Sequence, residues 1–428
     1  MNVKKAVKKI NLVAVDMGYG HQRAAYPLLD LGGGEIITIN DYPGIPDWEK
    51  KYWLNSLRSY ERVSRLKKIP VLGKLVFAVM DAFQKIEPLY PWRDLSAPTT
   101  QQKYFYHFVK KGLGEALIKK LNNTGLPFVT TFFVAAYIAE YQNFQGEIYC
   151  IICDTDASRA WAPLNPSASR IKYLLPSAKV RERFLMYGVR PENIIVTGFP
   201  LPKENIGQDK EVAKLDLARR VMALDPQGAC YDYYKSFLAE PSPSSSKSEK
   251  PLTITYAVGG AGAQKEIGAL ILNKLAPEIK NKKIRVNLSI GNRPELKSYF
   301  EQEIFLAGLK AKGNVNIIFD LDKVEYFKKF NACLHDTDIL WTKPSELSFY
   351  CALGLPIIMS SPIGSQEDFN REWLLAKGAG VDSPEPEYVA QWLPDLLASG
   401  RLARAAVDGF LNAEQLGVYN IEKLFTKS

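Results

Sequence analysis

The sequence is poor in cysteine and histidine, with five cysteines and three histidines in 428 residues. A disulfide scaffold needs a dense set of cysteines in a short chain, so that class is excluded. Cys150 and Cys153 have C-x-x-C spacing, but no second pair completes a zinc site, and both lie in the apolar run YCIICD. Packing in a buried strand accounts for them; a redox pair and half a zinc site are the alternatives. No apolar run reaches the ~20 residues that span a bilayer. No repeat at a solenoid period is present, which excludes stacked-repeat folds. No signal-peptide pattern is visible, since Lys4, Lys5, Lys8 and Lys9 lead straight into a strand. Thiols without a leader give the expectation of a reducing cytoplasm.

What is present suits two α/β domains of ordinary size. Hydrophobic residues make up 46% and charged residues 24%, the balance of a globular protein. The net charge of +9 fits nucleic acid, an anionic membrane surface or a phosphorylated substrate. The motifs below favour the phosphorylated substrate, keep the membrane surface as a partner and set nucleic acid aside.

The run INLVAVD reads as a buried parallel strand, Met17–Gly20 as a tight loop and His21 onward as a helix. Arg23 stands where a dinucleotide fingerprint would have its third glycine, so Gly18-x-Gly20 is not that fingerprint. A helix start disfavours an imidazolium, so His21 should be neutral and able to accept a proton from a hydroxyl. A histidine that only caps its own helix is the alternative. Residues 47–92 mix Lys and Arg with Trp, Tyr and Leu at helical spacing. They read either as amphipathic helices over the sheet or as an interfacial element, with Trp53, Leu72, Leu75 or Phe77 entering a membrane surface. Asp154 and Asp156 follow a strand end and read as a metal-binding or acid/base pair, or as capping aspartates.

The second half repeats the plan. TITYAV is a strand, and the small residues Gly259, Gly260 and Gly262 before the next helix let a backbone approach a phosphate. Asn292 and the turn after VNIIF, with Phe319 and Leu321, follow further strand ends. The most informative stretch is DILWTKPSELSFYCALGLPIIMSSPIGSQEDFN. Here Lys343, Ser345 and Glu346 form a polar turn between a strand and the helix Glu346–Leu353, which Gly354 and Pro356 stop. That is where an open α/β sheet holds phosphate. Gln366 and Asn370 share a helix face and can bind a polyol. An ordinary βαβ unit with a solvated amide pair is the alternative.

In order, Gly18-x-Gly20-His21, then Pro191-x-Asn193-Ile194-x-Val196-Thr197-Gly198-x-Pro200, then Thr342-Lys343, Gly354-Leu355-Pro356-Ile357-Ile358 and Gln366-xxx-Asn370 resemble the family 28 glycosyltransferases. That group holds the monogalactosyldiacylglycerol synthases, the processive diacylglycerol glucosyltransferases and the lipid-II-forming N-acetylglucosaminyltransferase. Pro344–Glu346 stands where the family has Gly-rich residues, and Ser158 and Arg159 stand in a loop that often carries a histidine. The resemblance implies a GT-B fold, α/β, of two Rossmann-like parallel-sheet domains facing a cleft. Residues 1–202 would form the acceptor-side domain, with a basic amphipathic insertion at about 47–105. Residues 203–250 would be a helical, Ser/Pro-rich linker, 251–400 the nucleotide-sugar domain and 401–428 a helical tail.

The implied reaction moves a sugar from a nucleotide-sugar, a UDP-sugar by resemblance, to an acceptor hydroxyl, with inversion and without metal or other cofactor. His21, Asp154 and Asp156 would be catalytic. Gly18, Gly20, Gly259, Gly260, Gly262, Asn292, Phe319, Leu321, Lys343, Ser345, Glu346, Gln366 and Asn370 would bind the donor. The acceptor stays open, with a lipid and peripheral attachment to the inner face of the cell membrane in view. A nucleotide-sugar epimerase and a non-catalytic nucleotide-sugar-binding protein on the same scaffold are the competing readings.

Overall fold

The structure, a computed structural model, describes residues 9–66, 85–235, 250–259, 262–310, 313–362 and 364–426. Gly260, Leu72, Leu75 and Phe77 therefore lie outside the described residues. The chain divides into two units. The first takes residues up to Pro200, with Gly364–Phe369 and the stretch from Leu416; the second takes Leu201–Ile363 and Asn370–Gln415.

The first unit holds strands β1 (Asn11–Ala14), β2 (Ile37–Thr38), β3 (Phe128–Thr130), β4 (Ile148–Ile151), β5 (Lys172–Leu175) and β6 (Ile194–Val196). They form one sheet in the order β2-β1-β3-β4-β5-β6, and every pair is parallel. Continuous apolar runs make such strands, because helices cover both faces. The run from Gln102 to Leu121 forms two helices, Thr100–Lys110 and Glu115–Asn122, rather than one. Gly112 (φ +97°) and Gly114 (φ +76°) break it, and a Cβ on Gly114 would collide with Ile138 at 2.3 Å. The last helix, Gly417–Leu424, also belongs to this unit. Gly417 lies so close to the Phe199 backbone that a Cβ would fall 2.1 Å from its carbonyl oxygen.

The second unit holds β7 (Leu252–Ala257), β8 (Ile284–Gly291), β9 (Val315–Phe319), β10 (Ile339–Thr342), β11 (Ile357–Met359) and β12 (Gly380–Asp382). Their order is β12-β11-β10-β7-β8-β9, again all parallel. Read from β9, this is the dinucleotide-fold order 3-2-1-4-5-6. Two doubly wound parallel sheets in one chain are the GT-B architecture.

Residues 203–235 are part of the second unit's core: Leu217, Val221, Leu224 and Tyr234 pack with Ile254, Trp341 and Val407. Large side chains there, Trp341 and Tyr256 among them, are almost fully enclosed. Arg220, on helix Glu211–Leu224, is 1% exposed and donates to the carbonyls of Leu334, Thr337, Leu353 and Gly354 at 2.8–3.3 Å. It thereby closes the carboxyl ends of two helices, where a cation is favoured. Burial pulls its guanidinium down to about 10, and it still remains charged at neutral pH.

Candidate functional site

In an open parallel sheet, ligands bind beyond the carboxyl ends of the strands, where neighbouring strands send their connections to opposite faces. The first unit has that switch between β1 and β3, and the second has it between β7 and β10.

At the first switch the chain leaves β1 through Val15–Tyr19 into the short helix Gly20–Ala25, with His21 in its first turn. Asn40, beyond β2, clamps the start of the loop. Its Oδ1 accepts from the Asp16 N–H at 2.8 Å, and its Nδ2 donates to the Asp16 carbonyl at 3.1 Å. Gly18 has φ +118°, in the region that favours glycine, with open space where a Cβ would stand. From the neighbouring strand, the Thr131 carbonyl lies 2.6 Å from His21 Nδ1. A carbonyl oxygen only accepts, so Nδ1 carries the hydrogen and Nε2 is the basic nitrogen of the neutral ring. Phe132 packs edge-on against the imidazole at 5.1 Å, and Trp161 lies 6.1 Å away.

Asp154, at the exit of β4, is partly exposed on the same sheet edge. Asp156 is 1% exposed and meets Arg183 in a two-pronged ion pair, Nε–Oδ1 and Nη2–Oδ2 both at 2.9 Å. Its Oδ1 also accepts from the Ala157 N–H at 2.9 Å. These contacts give Asp156 a structural task, anchoring the loop that carries Trp161. Arg159 serves the same loop. Its guanidinium is buried and donates to the carbonyls of Ser96, Ala162 and Pro163 at 2.6–3.2 Å. Trp53, read as a residue for a membrane surface, is 4% exposed and stands 6.2 Å from Phe132 in the core, so that reading is corrected. Amphipathic spacing alone does not say which apolar side chains face inward, and here the buried face of the helix Asp47–Leu66 takes Trp53. Burial pushes the Cys150 thiol far up, as suits core packing.

At the second switch, Ala257 ends β7 and Thr342 ends β10, tied by Thr342 Oγ1 donating to the Ala257 carbonyl at 3.3 Å. The glycine loop turns through Gly262 (φ +73°) into the helix Lys265–Lys274. Tyr256 Oη donates to the Gln264 carbonyl at 2.6 Å, and Gln264 Nε2 donates to the Ser361 carbonyl at 2.8 Å, fixing the loop from two sides. Lys343 lies directly over Gly259: a Cβ there would stand 3.0 Å from Lys343 Cε and 3.1 Å from Cδ. A close glycine backbone and the Lys343 side chain thus meet in the loop ahead of a helix start.

Ser345 has extended backbone ahead of Glu346–Leu353, which is a 3-10 helix of eight residues rather than an α-helix. Pro344 precedes it, Gly354 and Pro356 follow it, and every residue from Leu347 to Leu353 is buried. Asn292 follows a bulge at Gly291, the register partner of Phe319, so the exits of β8 and β9 are adjacent. Lys297 Nζ lies 5.5 Å from the Phe319 ring centre, while Leu321 is 68% exposed. Gln366 and Asn370 stand one turn apart on the helix Ser365–Ala376; Gln366 is partly exposed and Asn370 only 1%. Among the described residues no helix is long and apolar enough to cross a membrane. Local signal was weakest for Thr131, Asn40 and Arg220, whose partners are distant in sequence.

The two doubly wound sheets give the chain a glycosyltransferase-like GT-B fold. The chain is 23% identical over 400 residues to the processive diacylglycerol beta-glucosyltransferase of Bacillus subtilis (strain 168), covering 91% of this chain and 87% of that one. The resemblance carried by the motifs therefore extends over most of the chain. Residues 243–329 match the family model described as Domain of unknown function (DUF6938). Similar solved structures include Acinetobacter baumannii MurG (13% identity, TM-score 0.49, 98% of this chain and 100% of that one). The UDP-GlcNAc 2-epimerase from Neisseria meningitidis bound to UDP-GlcNAc has 12% identity and a TM-score of 0.49, with 97% and 98% covered.

Proposed function

We propose that this protein transfers a sugar from a UDP-sugar to an acceptor hydroxyl with inversion at the anomeric carbon. The observation that carries the reading is Lys343 lying over the Gly259 backbone at the β7/β10 switch. That ammonium and the start of the helix Lys265–Lys274 would hold the diphosphate and stabilise the charge that grows on it as it leaves. Asn292, Phe319 and Leu321 would meet the nucleoside, and Gln366 and Asn370 the sugar hydroxyls. His21 Nε2 would accept the hydroxyl proton while the acceptor oxygen forms its bond to the anomeric carbon and the bond to the diphosphate breaks. A single displacement inverts that carbon.

The acceptor in this reading is a lipid, as the name of the Bacillus relative suggests. The enzyme would then work in the cytoplasm at the membrane's inner face, reached through the basic residues of the 47–105 segment. Incubating the chain with UDP-glucose or UDP-galactose and diacylglycerol in vesicles tests this. A glycolipid with a β-linkage, seen by proton NMR, is the expected product. Interconversion of UDP-sugars without an acceptor would instead make the chain an epimerase.

Since Lys343 and the helix start supply the positive charge, a divalent ion has no assigned task. Excess EDTA is expected to leave the transfer rate unchanged. A rate abolished by EDTA and restored by magnesium or manganese would contradict this assignment.

A further inference from the structure

We infer that Thr131 is the positioning residue of His21, holding the imidazole in its Nδ1–H tautomer so that Nε2 is the base. The inference rests on the proposed role of His21 and adds the residue that prepares it.

Thr131 directly follows β3 and is fully buried. It is joined to His21 twice. Its carbonyl accepts from Nδ1 at 2.6 Å, and its Oγ1 donates to the His21 carbonyl at 2.9 Å. Its own N–H donates to the Val13 carbonyl on β1 at 3.3 Å. All three polar groups of one residue thus tie the exit of β3 to the β1 side of the switch, across 110 residues of sequence. The first bond selects the tautomer, because the nitrogen facing a carbonyl must bear the hydrogen. The second fixes the His21 backbone, so the ring meets that carbonyl at a set distance. Phe132 at 5.1 Å and Trp161 at 6.1 Å flank the ring. Cys153 Sγ approaches the same carbonyl at 3.5 Å, and the Cys153 thiol adds a weak donor to it. A backbone carbonyl cannot take up a proton, so it orients the base without competing for the proton being moved. The hydroxyl of Thr131 is the part that mutation can remove. Valine keeps the shape and loses the hydroxyl, whereas serine keeps the hydroxyl.

The test is a long-range nitrogen–proton spectrum of the full chain with labelled histidine, which reports which ring nitrogen bears hydrogen. Only His21, His107 and His335 contribute, and His21→Ala identifies the His21 signals. The spectrum is taken at about pH 8.5, roughly two units above the ordinary histidine value. His21 is expected as Nδ1–H in the wild type and in Thr131→Ser, and as Nε2–H or a mixture in Thr131→Val. A second arm measures UDP release from UDP-glucose with diacylglycerol vesicles. There Thr131→Val is expected to lower kcat by about tenfold with KM for UDP-glucose unchanged, and Thr131→Ser to restore it.

Wild-type His21 found as Nε2–H overturns the inference without any variant. So does a Thr131→Val protein with an unaltered tautomer. If the tautomers behave as expected but His21→Ala turns over normally, the catalytic reading of His21 fails while the coupling to Thr131 stands. If His21→Ala is inactive and the tautomers are indifferent to Thr131, only the inference about Thr131 fails.

Discussion

Replacing His21 by Ala is expected to lower kcat by about 10²–10⁴-fold, the usual contribution of a positioned general base. UDP binding should persist, since the Gly259 loop and Lys343 lie in the other unit. The size of the effect follows from the geometry. With Nδ1 donating to the Thr131 carbonyl, the neutral ring has its lone pair on Nε2. Asp154 is another titratable group at this edge, but it leaves a different strand, β4. Full activity in His21→Ala, measured as glycolipid formed at saturating UDP-sugar, would remove His21 from the chemistry and direct attention to Asp154. Loss of both activity and UDP binding would mean that the substitution acts through folding.

The second large effect concerns stability. Arg183 and Asp156 have no exposed side-chain area, and the pair is held by two bonds of 2.9 Å. Removing Arg183 would strand a carboxylate in the interior, with the Ala157 N–H at 2.9 Å and Lys179 Nζ at 3.7 Å to offset it. Breaking such a pair costs about 3–5 kcal/mol. At roughly 2–4 °C per kcal/mol for a unit of this size, Arg183→Met should lower the first unit's Tm by roughly 6–20 °C. Removing both charges is far less costly than removing one. The double variant Arg183→Met/Asp156→Leu should therefore recover much of the loss. Calorimetry checks both variants. A single variant as stable as the wild type, or a double variant no better than the single, would contradict the account. A recovered double variant with normal kcat would separate Asp156 from the chemistry.

Much of the architecture was legible because it is written in short-range pattern. INLVAVD, EIYCIIC and TITYAV are apolar runs of strand length, and the small or polar residues after them mark the strand exits. His21, Asp154, Gly259, Asn292 and Lys343 could be placed at strand exits for that reason. The pairing of those exits was not legible. That β1 lies beside β3 and β7 beside β10 follows from packing of helices on both faces, and no local pattern states it. The contacts that decide roles span large separations: His21 to Thr131 over 110 residues, Arg220 to Gly354 over 134 and His335 Nδ1 to Asp216 over 119. For the same reason the pairing of the Asp156 carboxylate with Arg183 was not legible locally. The 3-10 winding of Glu346–Leu353 was hidden too, since its composition suits an α-helix.

The central claim is that the β7/β10 switch holds a nucleoside diphosphate through Lys343 and the glycine loop. Titration calorimetry of UDP against the wild type and Lys343→Ala tests it most directly. A charge-assisted contact to phosphate contributes about 1.5–3 kcal/mol, so the variant should bind UDP at least about tenfold more weakly. UDP that fails to bind the wild type, or that binds both proteins equally, would contradict the account.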